Sequence, residues 1–425
     1  MRLGGRLQAA IDIFDEIETR KRSVSEVLRD WHCSHRFAGS GDRAAIGNIV
    51  YDALRNRASI SWKMESEAAI DIVYGALLNE GSFDLERIER GIAGNIVSPP
   101  FLSKDRLFLW ANRNLLEAPL HVQADIPQGC LESLMFLSKV NEGIALAQRP
   151  PIDLRVNNLL STTSKVARQL SFCGAMPVSW CRHALRVAPA RGLNRRPNLQ
   201  RSEAFKSGLF EVQDIGSQVV SYLCQVKPGM EILDYCAGSG GKALAFSAEM
   251  RNVGKIHAFD ARKSRIVPIF ARLSRANVRN VQVHVERDTL DSLLGCIDVV
   301  VIDAPCTGSG TWRRNPDMKW RLTDMQLSRR IEEQYDILEK ASVFVRPGGH
   351  LVYITCSLFF EENDWQVERF LTHHSSFQLK NMRKHWNRLM PEQAPIPYVS
   401  KNGLLLSPFA TGTDGFFISV IEKTI

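Results

Sequence analysis

The sequence predicts an α/β protein: a doubly wound, Rossmann-like parallel sheet in the C-terminal half, preceded by an all-helical domain and a small α+β subdomain. Three observations carry this. From about residue 209 short apolar runs alternate with helical patterns, the rhythm of parallel strands joined by helices. Residues 1–115 repeat apolar side chains at helical spacing. Between them, prolines 99, 100, 118, 127, 150 and 151 punctuate the chain before one isolated strand pattern. The expected domains are 1–118, 119–208 and 209–425.

In order along the chain, Leu7, Ala10, Ile11, Phe14 and Ile17 mark the first helix. GDRAAIGNIVYDALRNR repeats the pattern through Ile46, Ile49, Val50, Ala53 and Leu54, with Asp42 placed to cap its start. ESEAAIDIVYGALLNEG and KDRLFLWANRNLL read as further helices. PPIDLRVNNL reads as a short strand and TTSKVARQLSFCG as a helix. Residues 181–206 hold seven Arg/Lys against one Glu, either a solvated loop or a surface that meets phosphates. The parallel strands follow in EILDYCA, KIHAFD, VQVHVE, IDVVVIDAPC and HLVYITCS.

Composition sets bounds. Of 425 residues, 44% are hydrophobic and 24% charged, the balance of a globular protein. No run approaches the ~18 apolar residues of a membrane span, and Asp12, Asp15 and Glu16 stand where a signal peptide would be apolar. Nine cysteines without a CxxC pair indicate neither a disulfide framework nor a zinc site and fit a reducing cytoplasm. A cytoplasmic monomer is expected, with no membrane or metal partner. The net charge of +8 favours a polyanion, RNA above all.

Ligands of a doubly wound sheet lie beyond the strand C-termini. There the chain places Asp234 and Cys236, Asp260, Asp288, Asp303 and Cys306, and Cys356. In ILDYCAGSGGK, glycines 238, 240 and 241 fall between the first strand and its helix, allowing a tight turn and close approach to free helix N–H groups. Asp260 ends the second strand, where a carboxylate can accept from ribose hydroxyls; Asp288 follows the third, where an adenine edge would lie. That order points to an adenosine ligand. S-adenosylmethionine fits best, because the fourth strand ends in a substrate-type motif, Asp303-Ala304-Pro305-Cys306. A nicotinamide dehydrogenase would want GxGxxG and leaves the thiols unexplained.

A thiol in that place suggests methylation at carbon. C5 of a pyrimidine is a poor nucleophile until a thiolate adds to C6. Afterwards a base must take the C5 proton so that the thiolate is expelled. One cysteine alone reads as a buried, inert sulfur. Cys306 and Cys356 at the ends of neighbouring strands, beside Asp303, read as a pair. Arg313, Arg314, Lys319 and the following helix N-terminus are expected to lower a thiol pKa. Position leaves either thiol as the attacker.

QDIGSQ (213–218), DYCAGSGGK (234–242), DAPCTGSGTWRRNPDMKW (303–320), YITCSLFFEEN (353–363) and TDGFF (413–417) resemble, in order and spacing, the RNA cytosine-C5 methyltransferases, with the closest look to the bacterial RsmB-type (Fmu/Sun) ribosomal RNA enzymes. The resemblance implies a catalytic domain dependent on S-adenosylmethionine and an RNA substrate, 16S ribosomal RNA first. It implies Cys356 as nucleophile, Cys306 as the group that assists C5 deprotonation and product release, and Asp303 as a contact to the base. It implies a cofactor site of Cys236, Ala237, Gly238, Ser239, Gly240, Gly241, Lys242, Asp260, Arg265, Asp288 and Asp303. PPIDLRVN resembles the start of the family's small RNA-binding subdomain, and GDRAAIGNIVYDALRNR its NusB-like helical domain. Family members read Cys-Ala-Ala-Pro-Gly-Gly-Lys-Thr; here Gly238-Ser239 replaces Ala-Pro and Ala243 replaces Thr. The rival readings are the same chemistry on transfer RNA, and a non-catalytic RNA-binding assembly factor on this fold.

Overall fold

A computed structural model describes residues 1–81, 83–93, 97–134 and 137–424. They form two compact units. The first comprises Met1–Pro150, Pro189–Pro197 and Thr311–Leu322; the second Pro151–Ala188, Asn198–Gly310 and Thr323–Ile425. Residues 119–150 therefore lie in the first unit, and the small subdomain shares the second with the large sheet.

The first unit is helical. Helices Leu3–Arg20, Ser40–Arg55 and Ala69–Asn79 pack on one another, burying Leu7, Ala10, Phe14 and Ile17 against Ile46, Val50, Ala53 and Val73. Those positions recur at three- and four-residue spacing, so one face of each helix leaves water. Asp42 caps its helix from the third position rather than as the first residue: its Oδ2 accepts the Gly39 N–H at 3.2 Å.

Segment Thr311–Leu322, remote in sequence, completes this unit. Lys319 Nζ donates to Arg55 O at 2.8 Å and Asp125 O at 2.6 Å. Trp320 Nε1 donates to Leu54 O at 2.7 Å, and Arg55 Nε to Arg313 O at 2.8 Å. The carbonyls at the end of helix Ser40–Arg55 thus gain donors, one of them cationic, where the helix dipole favours positive charge. Burial pushes the Lys319 amine down to about 8 despite Asp125 nearby.

The second unit holds two sheets. A small antiparallel sheet is built from β1 (Ile152–Val156), β2 (Met176–Pro177), β3 (Ala184–Val187) and β4 (Phe210–Val212), in the order β2-β3-β1-β4. The large sheet contains β5 (Glu231–Asp234), β6 (Lys255–Phe259), β7 (Val281–His284), β8 (Ile297–Asp303), β9 (Val345–Thr355), β10 (Phe377–Leu379), β11 (Tyr398–Val399), β12 (Leu404–Leu406) and β13 (Phe416–Lys423). Its order is β11-β12-β13-β9-β8-β5-β6-β7, with β10 also on β13. Strands β5 to β9 are parallel; β13 runs antiparallel to β9, pairing Phe417 with Thr355 through Glu422 with His350. The expected doubly wound α/β sheet is present. Its apolar runs, such as VVVI at 299–302, are buried as strands covered on both faces must be.

The chain goes from β5 outward to β6 and β7, then returns to β8 on the other side of β5. That reversal opens a crevice beyond the C-terminal ends of β5 and β8. Among the described residues, no helix is long and apolar enough to cross a membrane.

Candidate active site

Two thiols meet at the edge of the sheet. Cys306 follows β8 and Cys356 follows β9, and their sulfurs are 3.3 Å apart. Strands β8 and β9 are hydrogen-bonded neighbours, Asp303 beside Ile354, so residues just past their ends share one place. The contact with Cys356, then burial, pushes the Cys306 thiol well above its usual range. Held neutral, Cys306 is the S–H donor of the pair, and the Cys356 sulfur accepts.

This corrects one expectation. The cations after Cys306 do not lower its pKa. Lys319 is committed to two carbonyls within the helical unit, and Arg313 O serves Arg55 there.

Beside the thiols, Lys242 Nζ lies 2.6 Å from Asp303 Oδ2. Burial disfavours the ammonium, but Asp303 and Asp234 outweigh it and hold the Lys242 pKa up. The Lys242 ammonium also stands 5.4 Å from the Phe416 ring centroid. Asp303 is about a third exposed and keeps a face toward the crevice.

The glycine turn is shaped by backbone. Gly240 has φ +84°, and a Cβ there would meet Ile269 Cγ1 at 2.5 Å, so only glycine fits. Helix Gly241–Glu249 starts directly after it. Asp260 sits against the turn, its Oδ2 accepting the Gly238 N–H at 3.0 Å and its Oδ1 the Arg262 N–H at 2.9 Å. Arg265 reaches Asp260 at 3.9 Å. Ser239 takes two hydrogen bonds from Arg272, at 2.9 Å on its carbonyl and 2.7 Å on its hydroxyl. Ala237 N–H donates to Phe259 O at 2.9 Å, tying the turn to β6. Burial pushes the Cys236 thiol well up, away from thiolate chemistry. Asp288 opens a short 3-10 helix after β7 and is exposed. The structure thus groups 236–242 with Asp260 and Arg265, and Lys242 with Asp303.

Asp234 is fully buried at the end of β5. Neither carboxylate oxygen has a hydrogen bond of normal geometry; the Ala243 N–H lends weak support. Burial first, then Asp303, pushes its pKa up to about 7. A carboxyl raised on folding stabilises the fold fully below its unfolded value near 4, and that contribution is lost as pH climbs through about 7. Asp234→Asn is therefore expected to flatten the fall in thermal midpoint between about pH 5 and about pH 8. Identical pH profiles for the two proteins would refute this.

Residues 221–422 match the family model described as 16S rRNA methyltransferase RsmB/F. The chain belongs to the RsmB/F methyltransferase family. A ribosomal RNA small subunit methyltransferase B of Yersinia pseudotuberculosis is 33% identical over 280 residues, 65% of this chain and 60% of that protein. A probable ribosomal RNA small subunit methyltransferase B of Synechocystis sp. is 28% identical over 281 residues, 65% and 61% of the two. The chain spans about three-fifths of the length of these curated relatives. The crystal structure of PH0851 shares its fold over 100% of both chains, at TM-score 0.73 and 23% identity.

The RsmB/F chain also carries residues at the site that its sequence did not single out. Glu362 is fully buried and grips the residue after Cys306: Oε1 accepts the Thr307 N–H at 2.8 Å and Oε2 the Thr307 hydroxyl at 2.5 Å. Gln334 Nε2 joins Glu362 at 2.9 Å to Pro305 O at 3.0 Å. Burial raises the Glu362 pKa, against those hydrogen bonds. Ser309 and Ser357 bond to each other at 2.9 Å, and Ser309 Oγ accepts the Leu358 N–H at 2.8 Å. Gly310 and Gly415 touch backbone to backbone; a Cβ on Gly310 would stand 2.5 Å from Gly415 Cα. Asp214 Oδ1 accepts the N–H groups of Gly216 and Asp414, at 2.7 and 3.0 Å. The motifs around 214, 306, 356 and 414 form one interlocked cluster.

Glu362→Ala leaves the Thr307 N–H and hydroxyl without their acceptor in a dry site. The expected cost is about 2–4 kcal/mol, read by urea denaturation of the whole chain. An unchanged midpoint would show that the Pro-Cys loop holds itself.

Proposed function

We propose that the chain methylates C5 of a cytosine in RNA, with S-adenosylmethionine as methyl donor and 16S ribosomal RNA as substrate. The observation that carries this reading is the pair of sulfurs 3.3 Å apart at adjacent strand ends, beside the Asp303–Lys242 pair. A structural cysteine has no need of a second thiol in a polar crevice.

The residues fit the cofactor. A buried acid with poorly satisfied oxygens, Asp234, stands at the mouth of a glycine turn whose Gly240 admits no side chain. Residues 236–242 would hold the chain of the cofactor, Asp260 the ribose hydroxyls, and Asp288 the adenine side, with Arg265 steadying Asp260. When bound, S-adenosylmethionine supplies an electrophilic methyl group.

The thiols divide the rest. The Cys356 sulfur, already a hydrogen-bond acceptor, adds to C6; the S–C6 bond forms and the ring electrons shift to C5. Asp303, fixed by Lys242, contacts the base. After methylation Cys306 takes the C5 proton, the S–C6 bond breaks, and its electrons restore the C5–C6 double bond. A thiol whose thiolate holds a proton tightly is suited to that second task, and poorly suited to the first. The target cytosine must leave its stack to reach the crevice. The helical unit and the basic residues of 181–206 would hold phosphates around it.

The test is methyl transfer from labelled S-adenosylmethionine to small-subunit RNA, with the modified base identified by mass spectrometry. The expected product is 5-methylcytosine. Transfer only to transfer RNA would replace the substrate; transfer to no RNA would favour a binding factor on the same fold.

A further inference from the structure

The cofactor turn departs from its family at two consecutive positions, and the structure gives both one explanation. Gly238 has φ +49°, which glycine adopts without strain. With Gly238 in place of Ala and Ser239 in place of Pro, the turn loses a restricted φ and gains a flexible one. Such a turn costs more entropy to hold in a binding shape.

Arg272 supplies the missing restraint from outside. Its Nη1 donates to Ser239 O at 2.9 Å and Ser239 Oγ at 2.7 Å. Its Nη2 donates to Glu211 Oε2 at 3.0 Å. Glu211, on β4 of the small sheet, is only 5% exposed, and Arg275 grips its other oxygen. Arg275 in turn lies 4.1 Å from the Phe205 ring centroid. The guanidinium is thus anchored on a buried carboxylate, with one nitrogen left for the turn. A planar fork held at one end keeps its other end in place.

We infer that Arg272 is a positioning residue for the cofactor turn, a side-chain clamp standing in for the proline stiffness that this chain lacks. The clamp rests on the cofactor reading above. It also ties that turn to the small sheet, since both depend on Glu211.

The test measures binding of S-adenosylhomocysteine to the full chain by calorimetry. Arg272→Met is expected to bind about tenfold more weakly. Ser239→Ala, which removes only the hydroxyl contact, is expected to fall between the two and serves if Arg272→Met folds poorly. Restoring the family turn, Gly238→Ala with Ser239→Pro, is expected to return Arg272→Met to within about threefold of wild type. A merely structural role for Arg272 would not be rescued by a change in the turn. Undiminished binding by Arg272→Met and Ser239→Ala, or failure of the Ala-Pro turn to rescue, overturns the clamp. Absence of binding by wild type overturns the cofactor reading itself, and the clamp with it.

Discussion

A Cys356→Ala protein is expected to fold, to bind RNA, and to transfer methyl groups at least ~1000-fold more slowly than wild type. Without addition at C6, C5 of cytosine has too little electron density to displace a methyl group. No other described thiol is placed to substitute. Cys306 is close, but its raised pKa leaves it protonated, and the Thr307–Glu362 grip fixes its loop. Alanine at 356 keeps the Gly310 N–H bond to the carbonyl there, since that contact is backbone to backbone. The loss should therefore appear in transfer and not in thermal stability. Substantial transfer by Cys356→Ala would reassign the attack to Cys306.

Cys306→Ala is expected to do the opposite of nothing: it should stop after the first half of the reaction. Addition by Cys356 and methylation at C5 remain possible. Removal of the C5 proton does not, because the sulfur 3.3 Å from Cys356 is gone. The protein should then accumulate bonded to RNA through Cys356. On a denaturing gel this is an RNA-dependent band that needs S-adenosylmethionine and disappears in the double variant with Cys356→Ala. If Cys306→Ala turns over freely with no such band, another base removes the proton.

The sheet was legible because each parallel strand is a short apolar run ending in an acid or a thiol, and strand ends converge in this topology. Asp234, Asp260, Asp303, Cys306 and Cys356 could be placed on one edge from that rhythm alone. Glu362 could not. In FFEEN it reads as one more loop acid, and its role appears only when the chain closes over 55 residues to Thr307. Gln334 was hidden similarly, as a polar residue in the long helix Asp324–Ser342. Lys319 was misread for the converse reason. A lysine near a glycine-rich loop looks solvated, yet this one is 2% exposed and spends its protons on carbonyls of a helix 264 residues earlier. Periodicity reports which faces are apolar; it is silent on which distant backbone a buried charge will satisfy.

The embedding of Thr311–Leu322 in the helical unit bears on inheritance. A gene fusion that exchanged residues 1–150 for another helical module would orphan Lys319 and Trp320, only a few residues after the thiol at 306. The two units are therefore not interchangeable cassettes. A substitution at Leu54 or Arg55 must be tolerated by a peptide that belongs, by sequence, to the catalytic half. The helical unit and the Pro-Cys loop are bound to evolve together.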